Sequence, residues 1–137
     1  MPNVASSVNE SITCISHNGV EEKSISKVQT VFDMVGASTI INEELMESAT
    51  VLGACGTAFA LRFIRAMVQA GIQIGFSSNT ATKIANQTVK GATEILLQNG
   101  NHPEAEIDKV TTPKGITITG LNEMEHQGFR AALIRGM

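Results

Sequence analysis

The chain has 137 residues, 42% of them apolar and 17% charged, with a formal charge of −3. That balance excludes a disordered polymer and supplies enough apolar material for one core. Ten scattered Lys/Arg and the lack of Trp and Tyr exclude the basic face or stacking platform that nucleic-acid binding needs.

Cys14 and Cys55 stand too far apart for a CxxC pair or a Cys/His ligand set. The longest apolar stretches are interrupted by Arg, Gln or Gly short of a membrane span, and no basic start with an apolar core precedes a cleavage site. The expectation is a reduced, cytoplasmic protein with no membrane and no nucleic-acid partner.

In chain order, Ser11 to Ser16 alternates polar and apolar residues as a half-buried strand does, and His17-Asn18-Gly19 ends it as a turn. Ser24 can cap a helix running to Val35, with Ile25, Val28, Val31 or Phe32, and Val35 on one face. Gly36 stops that helix, and Ala37 to Asn42 reads as a second strand. Two strands and a helix make no stable open sheet alone, so this part reads as the end of something larger.

From Glu43 onward the patterning is helical and predicts five or six helices. Glu43 to Leu52 is the first, and Gly53-Ala54-Cys55-Gly56 separates it from the second. The second carries Phe59, Phe63 and Met67 as a stripe flanked by Ala60, Ile64 and Val68, and ends at Gly71 and Gly75. Ser77 or Ser78 caps a third helix through Leu97, whose inner face is small: Ala81, Ala85, Thr88, Gly91, Ala92 and Ile95. Small residues let another helix axis approach closely. Pro103 and Glu104 suit the first turn of a helix ending near Val110. After Thr111 to Gly115 come two more helical stretches, one to about Gln127 and one from Gly128 onward.

Few signals carry chemistry. No two of the 12 glycines are adjacent or separated by one residue, so GxGxxG and the GxxxxGK[ST] loop are absent. His17, His102 and His126 lack ligand spacing and read as solvated or locally bonded. Cys55 has no paired base and reads as a small packed residue. Gly71 and Gly75 read as a C-cap and turn rather than as a helix contact. The stretch Thr111 to Thr119, TTPKGITIT, has two readings. Its helix N-terminus can bind a carboxylate or phosphate, with Lys114 adding charge and Thr112 and Thr117 supplying hydroxyls. It can equally be a helix capped by a threonine.

Segments taken in order resemble the pyrroline-5-carboxylate reductase family. Leu52-Gly53-Ala54-Cys55-Gly56-Thr57-Ala58-Phe59 resembles its LSGSGPAY segment, and Ala70-Gly71-Ile72 through Gly75-Phe76 its AGVxxGL turn. Ala85 to Ala92 is similar to its AAQTVLGAA helix, Asp108 to Ile118 to its DxVTSPGGTTI loop, and Gly128 to Ile134 to its GGFRAALI. Met1-Pro2-Asn3 resembles the MPN at the end of the family's dinucleotide-binding domain.

The resemblance implies a mainly α fold. Residues 37–137 would be a helical-bundle dimerisation and substrate-binding domain of the 6-phosphogluconate-dehydrogenase C-terminal type. Residues 1–36 would be an α/β remnant of a Rossmann domain. It further implies part of an oxidoreductase that reduces 1-pyrroline-5-carboxylate to L-proline in proline biosynthesis, as a homodimer or a larger ring of dimers. NADPH or NADH would be bound mainly by the Rossmann domain, with Asn3 as the cofactor contact on this chain; no metal is implied. By position, Thr112, Lys114, Gly115, Ile116 and Thr117 form the substrate loop. Backbone N–H groups there hold the carboxylate, and the Thr117 hydroxyl, the catalytic group, lies near the ring nitrogen.

The chain departs from the family in two places. Gly53-Ala54-Cys55-Gly56-Thr57-Ala58-Phe59 replaces Ser-Gly-Ser-Gly-Pro-Ala-Tyr, losing two hydroxyls, a proline and a phenol. Lys114 replaces the loop's first glycine and needs a backbone angle compatible with a side chain. Without a pyrophosphate-binding turn, these residues by themselves are expected neither to bind the cofactor tightly nor to turn over. The alternative is a non-catalytic helical assembly or ligand-binding module derived from the reductase.

Overall fold

The alternating N-terminal residues do form a strand pair, and a helix makes the pair parallel. In the structure, a computed structural model describing residues 1–137, β1 (Ser11–Ile15) runs parallel to β2 (Gly36–Ile40), with Thr13 opposite Ser38. Parallel strands need a long crossover, and α1 (Glu22–Phe32) supplies it. Met1 and Cys14 exchange backbone hydrogen bonds on the other edge of β1. Thr13 is fully buried, and neither its hydroxyl nor that of Ser38 finds a partner. Such orphans are costly, and few native structures keep many.

Ser24 is not the cap of α1. Glu21 holds that position without a side-chain bond, and Ser24 N–H donates to the Glu21 carbonyl within the first turn. Ile25, Phe32 and Val35 are half-buried while Val28 and Val31 are exposed, so Phe32 rather than Val31 completes the inner face. Gly36 opens β2 at φ 144°, where a Cβ would sit 2.7 Å from the Ser11 carbonyl carbon and closer still to its oxygen.

The break expected at Gly53–Gly56 does not occur. A 3-10 turn (Glu43–Leu45) leads into α2 (Met46–Ala49), a π-helical segment (Thr50–Cys55) and α3 (Gly56–Gln73) as one run. A helical glycine costs only about 1 kcal/mol, and a π segment absorbs an extra residue without ending the helix. The run Glu43–Gln73 is therefore one helix long and apolar enough, by length and composition, to cross a membrane. That corrects the expectation that the apolar stretches stop short; the same length and composition occur in helices whose apolar side is covered by protein.

Packing divides the chain into Met1–Arg65 and Ala66–Met137. The second unit holds the end of α3, then α4 (Ser78–Asn99), α5 (Pro103–Val110), α6 (Ile116–His126) and α7 (Phe129–Gly136). With the run Glu43–Gln73 taken as one helix, five helices follow from Glu43 onward, within the expected range. Ser77 caps α4, its Oγ accepting from Thr80 N–H at 3.2 Å. Val68, Ala81 and Ala85 are buried. Gly71 lies inside α3, where a Cβ would approach that of Ala81 to 3.0 Å, while Gly75 makes the turn at φ 111°. Gly71 is thus a helix contact, not a C-cap. Further along α4, Thr88, Ala92 and Ile95 are exposed and Gly91 half-buried, against the expectation of one continuous inner face. Helices that cross cover only the residues near the crossing.

Candidate functional site

The site begins where α5 stops. Thr111 leaves the helix in extended conformation, with its hydroxyl donating to the Asp108 carbonyl at 3.1 Å. Thr112 to Gly115 then forms a turn closed by Gly115 N–H donating to the Thr112 carbonyl at 2.9 Å. Pro113 at the second position presets φ, and Lys114 at the third sits at φ 61°, the sequence pattern and sign of a type II turn. A Cβ on Gly115 would lie 2.9 Å from the Thr112 carbonyl oxygen and nearer still to its hydroxyl. Only glycine lets the turn close this tightly.

The threonine-cap reading is overturned here. Gly115 is the N-cap of α6, with no side-chain cap bond, and its carbonyl takes the Thr119 hydroxyl at 3.0 Å and the Thr119 N–H at 3.3 Å. The first three N–H groups of α6, on Ile116, Thr117 and Ile118, are left with no capping side chain. They carry the helix's partial positive charge. Thr112, Lys114 and Thr117 are exposed, and Ile116 is 94% exposed. Neither the Lys114 ammonium nor the Thr117 hydroxyl is engaged by a protein group.

The nearby cation in the sequence is spent elsewhere. Lys109 Nζ lies 2.7 Å from Glu106 Oε1, which also accepts from Asn101 Nδ2 at 2.6 Å. The Lys109 bond, then the Asn101 bond, holds the Glu106 carboxyl below its ordinary range. A lowered carboxyl contributes stability above its ordinary pKa and loses it as pH falls through the lowered one; for this i,i+3 surface pair the contribution is small. Lys114 therefore remains the turn's own uncommitted positive charge.

A side chain at φ 61° is strained: the left-handed region costs an L residue ~1–2 kcal/mol, part of it offset by the greater chain entropy that glycine loses. Lys114→Gly is expected to stabilise the chain by up to ~1 kcal/mol in urea unfolding. Loss of stability in that variant would show that the lysine stem packs on the turn.

The structure thus brings Thr112, Lys114, Gly115, Ile116 and Thr117 into one turn and helix start within the second unit. Asn3 lies in the first unit and is engaged there: Oδ1 accepts from Ala5 N–H at 3.1 Å, and Nδ2 donates to the Gly53 carbonyl at 2.9 Å. Sequence reasoning missed that second bond, because nothing local marks Gly53 as its acceptor. His102 is locally bonded, as expected, with Nδ1 accepting from Glu104 N–H at 3.3 Å as the N-cap of α5. Cys55 is exposed rather than packed, since the run continues through it instead of turning into a core.

The chain matches the family model for pyrroline-5-carboxylate reductase dimerisation over residues 43–137. It is 45% identical to pyrroline-5-carboxylate reductase 1 of Dictyostelium discoideum, across 100% of this chain and 27% of that protein. It spans about half the length of other curated relatives it matches. The fold superposes on a pyrroline-5-carboxylate reductase from Coxiella burnetii with a TM-score of 0.95 at 26% identity, covering 99% of this chain and 51% of that one. The Plasmodium falciparum pyrroline carboxylate reductase with NADP bound gives a TM-score of 0.90 at 28% identity, covering 99% and 56%. Family model, relatives and fold agree, and the chain belongs to the pyrroline-5-carboxylate reductase dimerisation family.

Proposed function

We propose that this chain is the dimer-forming and substrate-binding part of a pyrroline-5-carboxylate reductase, which converts 1-pyrroline-5-carboxylate to L-proline with NADPH or NADH in proline biosynthesis. Residues 1–36 form the tail of the dinucleotide-binding domain, and residues 37–137 form the helical domain. The observation that carries the reading is the α6 N-terminus. It has no side-chain cap, and Lys114 and the free Thr117 hydroxyl stand beside it. The substrate carboxylate binds the Ile116, Thr117 and Ile118 N–H groups, where the helix dipole favours an anion. Lys114 adds attraction at longer range, and Ile116 offers an apolar surface to the ring. The Thr117 hydroxyl hydrogen-bonds the ring nitrogen, which gains its proton as the C=N bond becomes a C–N bond. Fixing both ends of a small ring holds the imine carbon in one orientation, and orientation carries much of the rate.

The residues of this chain do not fit a nicotinamide dinucleotide. The turn from β1 into α1 holds one glycine, Gly19, and α1 starts at Glu21 and Glu22, whose carboxylates would repel a pyrophosphate. Asn3, expected as a cofactor contact, has its carboxamide committed to protein groups. The cofactor belongs to the dinucleotide-binding domain of the whole reductase.

The dimerisation-family match over residues 43–137 supports assembly. On α3 and α4 alone, Ile72, Ile84, Ile95 and Leu97 are exposed. Uncovered apolar side chains of this kind suit an obligate interface, so the protein works as a homodimer or a larger ring of dimers. Both cysteines are free thiols, which suits the cytoplasm.

Two measurements test this reading. Light scattering of the chain at micromolar concentration is expected to give at least a dimer; a well-folded monomer would contradict the assembly. Titration with L-proline is expected to shift the amide resonances of Gly115 to Ile118 and leave those of α4 unmoved. Unshifted amides in a folded dimer would favour a non-catalytic assembly module instead.

A further inference from the structure

Within the first unit, Met1, Asn3 and Ser16, the last just past β1, tie the N-terminal residues to the helical run at three points. The Ser16 hydroxyl donates to the Glu43 carboxylate, the Thr50 hydroxyl meets Met1 Sδ at 2.8 Å, and Asn3 Nδ2 donates to the Gly53 carbonyl at 2.9 Å. Gly53 marks a close approach: a Cβ there would lie 3.4 Å from Ile12 Cγ2.

The Asn3 tie joins the most parts. Its Oδ1 accepts from Ala5 N–H at 3.1 Å, and its backbone N–H donates to Ser11 Oγ at 3.1 Å. One residue thus links the 3-10 turn Val4–Val8, β1 and the π segment. The Gly53 carbonyl sits mid-segment, and besides Asn3 only the long 3.5 Å bond from the Thr57 hydroxyl reaches it from a side chain.

We propose that the Asn3 carboxamide is a latch: by donating to the Gly53 carbonyl it ties the π segment to the N-terminal turn and fixes the start of α3 against β1. The latch goes beyond the proposed substrate chemistry and does not depend on it. Its two functions are separable by substitution. Asn3→Asp keeps an oxygen for Ala5 N–H and is as good a helix cap, but it loses the donor to Gly53. Asn3→Ser keeps a neutral cap and cannot reach Gly53.

Amide hydrogen exchange on the chain of residues 1–137 reads the latch directly. In both variants the amides of residues 54–58 are expected to exchange about 5- to 10-fold faster, the loss of one hydrogen bond. The amides of α5 to α7 should be unchanged. Wild-type exchange at residues 54–58 in Asn3→Asp would mean that only the cap matters and would overturn the latch. If added charge unfolds Asn3→Asp, the neutral Asn3→Ser decides alone: faster local exchange supports the latch and unchanged exchange refutes it. Uniformly faster exchange over both units would also refute it.

Discussion

In a reductase carrying this chain, Thr117→Val is expected to lower kcat/KM by about 10- to 150-fold. Valine keeps the volume and branching of threonine and removes only the hydroxyl, whose bond to a charged or polarised ring nitrogen is worth roughly 1.5–3 kcal/mol. The hydroxyl has no protein partner and is exposed, so stability should move by no more than about 0.5 kcal/mol. That separation is what makes the substitution informative. If the bond strengthens as the nitrogen gains its proton, kcat carries the loss; if it serves only the bound ground state, KM rises instead. Cofactor KM should hold steady, because the proposed role of Thr117 is toward the substrate. Steady-state kinetics against both substrates, with the oligomer checked, measures all three quantities. Wild-type kinetics in a folded variant would remove Thr117 from the site while leaving the backbone carboxylate cradle standing.

Gly36→Ala should break the first unit. Gly36 sits at φ 144°, ψ −140°, a region open essentially to glycine alone, which costs other residues about 1–3 kcal/mol before any contact is considered. The added Cβ would also run into the backbone of Ser11, its direct partner across the strand pair. Backbone cannot step aside as a flexible side chain does, so β2 must pull away from β1 and expose Ser11 and Thr13, both buried. We expect at least ~3 kcal/mol lost in urea unfolding, with the β1 and β2 amides losing exchange protection first. Gly19→Ala is the comparison. Gly19 also has positive φ, at 66°, but nothing lies within 4 Å of its Cβ position, so it should cost only ~1–2 kcal/mol. Equal effects would mean that strain alone, without the clash at Ser11, accounts for Gly36.

Much of the local structure around the candidate site was legible in the sequence because its signals are local. Ser77 and Pro103 act on their own backbone, and α4 and α5 start where those residues put them. The run TTPKGITIT announced a turn entering a helix, and ordered segments up to Gly128-Phe129-Arg130 carried the family. The choice between a capped and an open helix start was not legible. It turned on whether Thr112 or Gly115 took the N-cap backbone angles, and the close approach of Gly115 to Thr112 settled it in favour of the glycine.

What remained hidden depends on partners distant in sequence. Alternation in Ser11–Ser16 specified a strand, but its parallel register with β2 rests on the absent Cβ at Gly36, 25 positions from the strand's first residue, Ser11. Gly53 and Gly56 read as a break, since local preference disfavours glycine in helices by only about 1 kcal/mol, too little to decide the matter. The structure carries the run through, with Asn3 and Ile12 beside Gly53. Gly71 read as a helix end until Ala81 appeared against it. Of the face expected on α4, Ala81 and Ala85 are buried while Thr88, Ala92 and Ile95 are exposed. Periodicity fixes the direction in which side chains point; burial requires a second surface, and only the tertiary structure provides it.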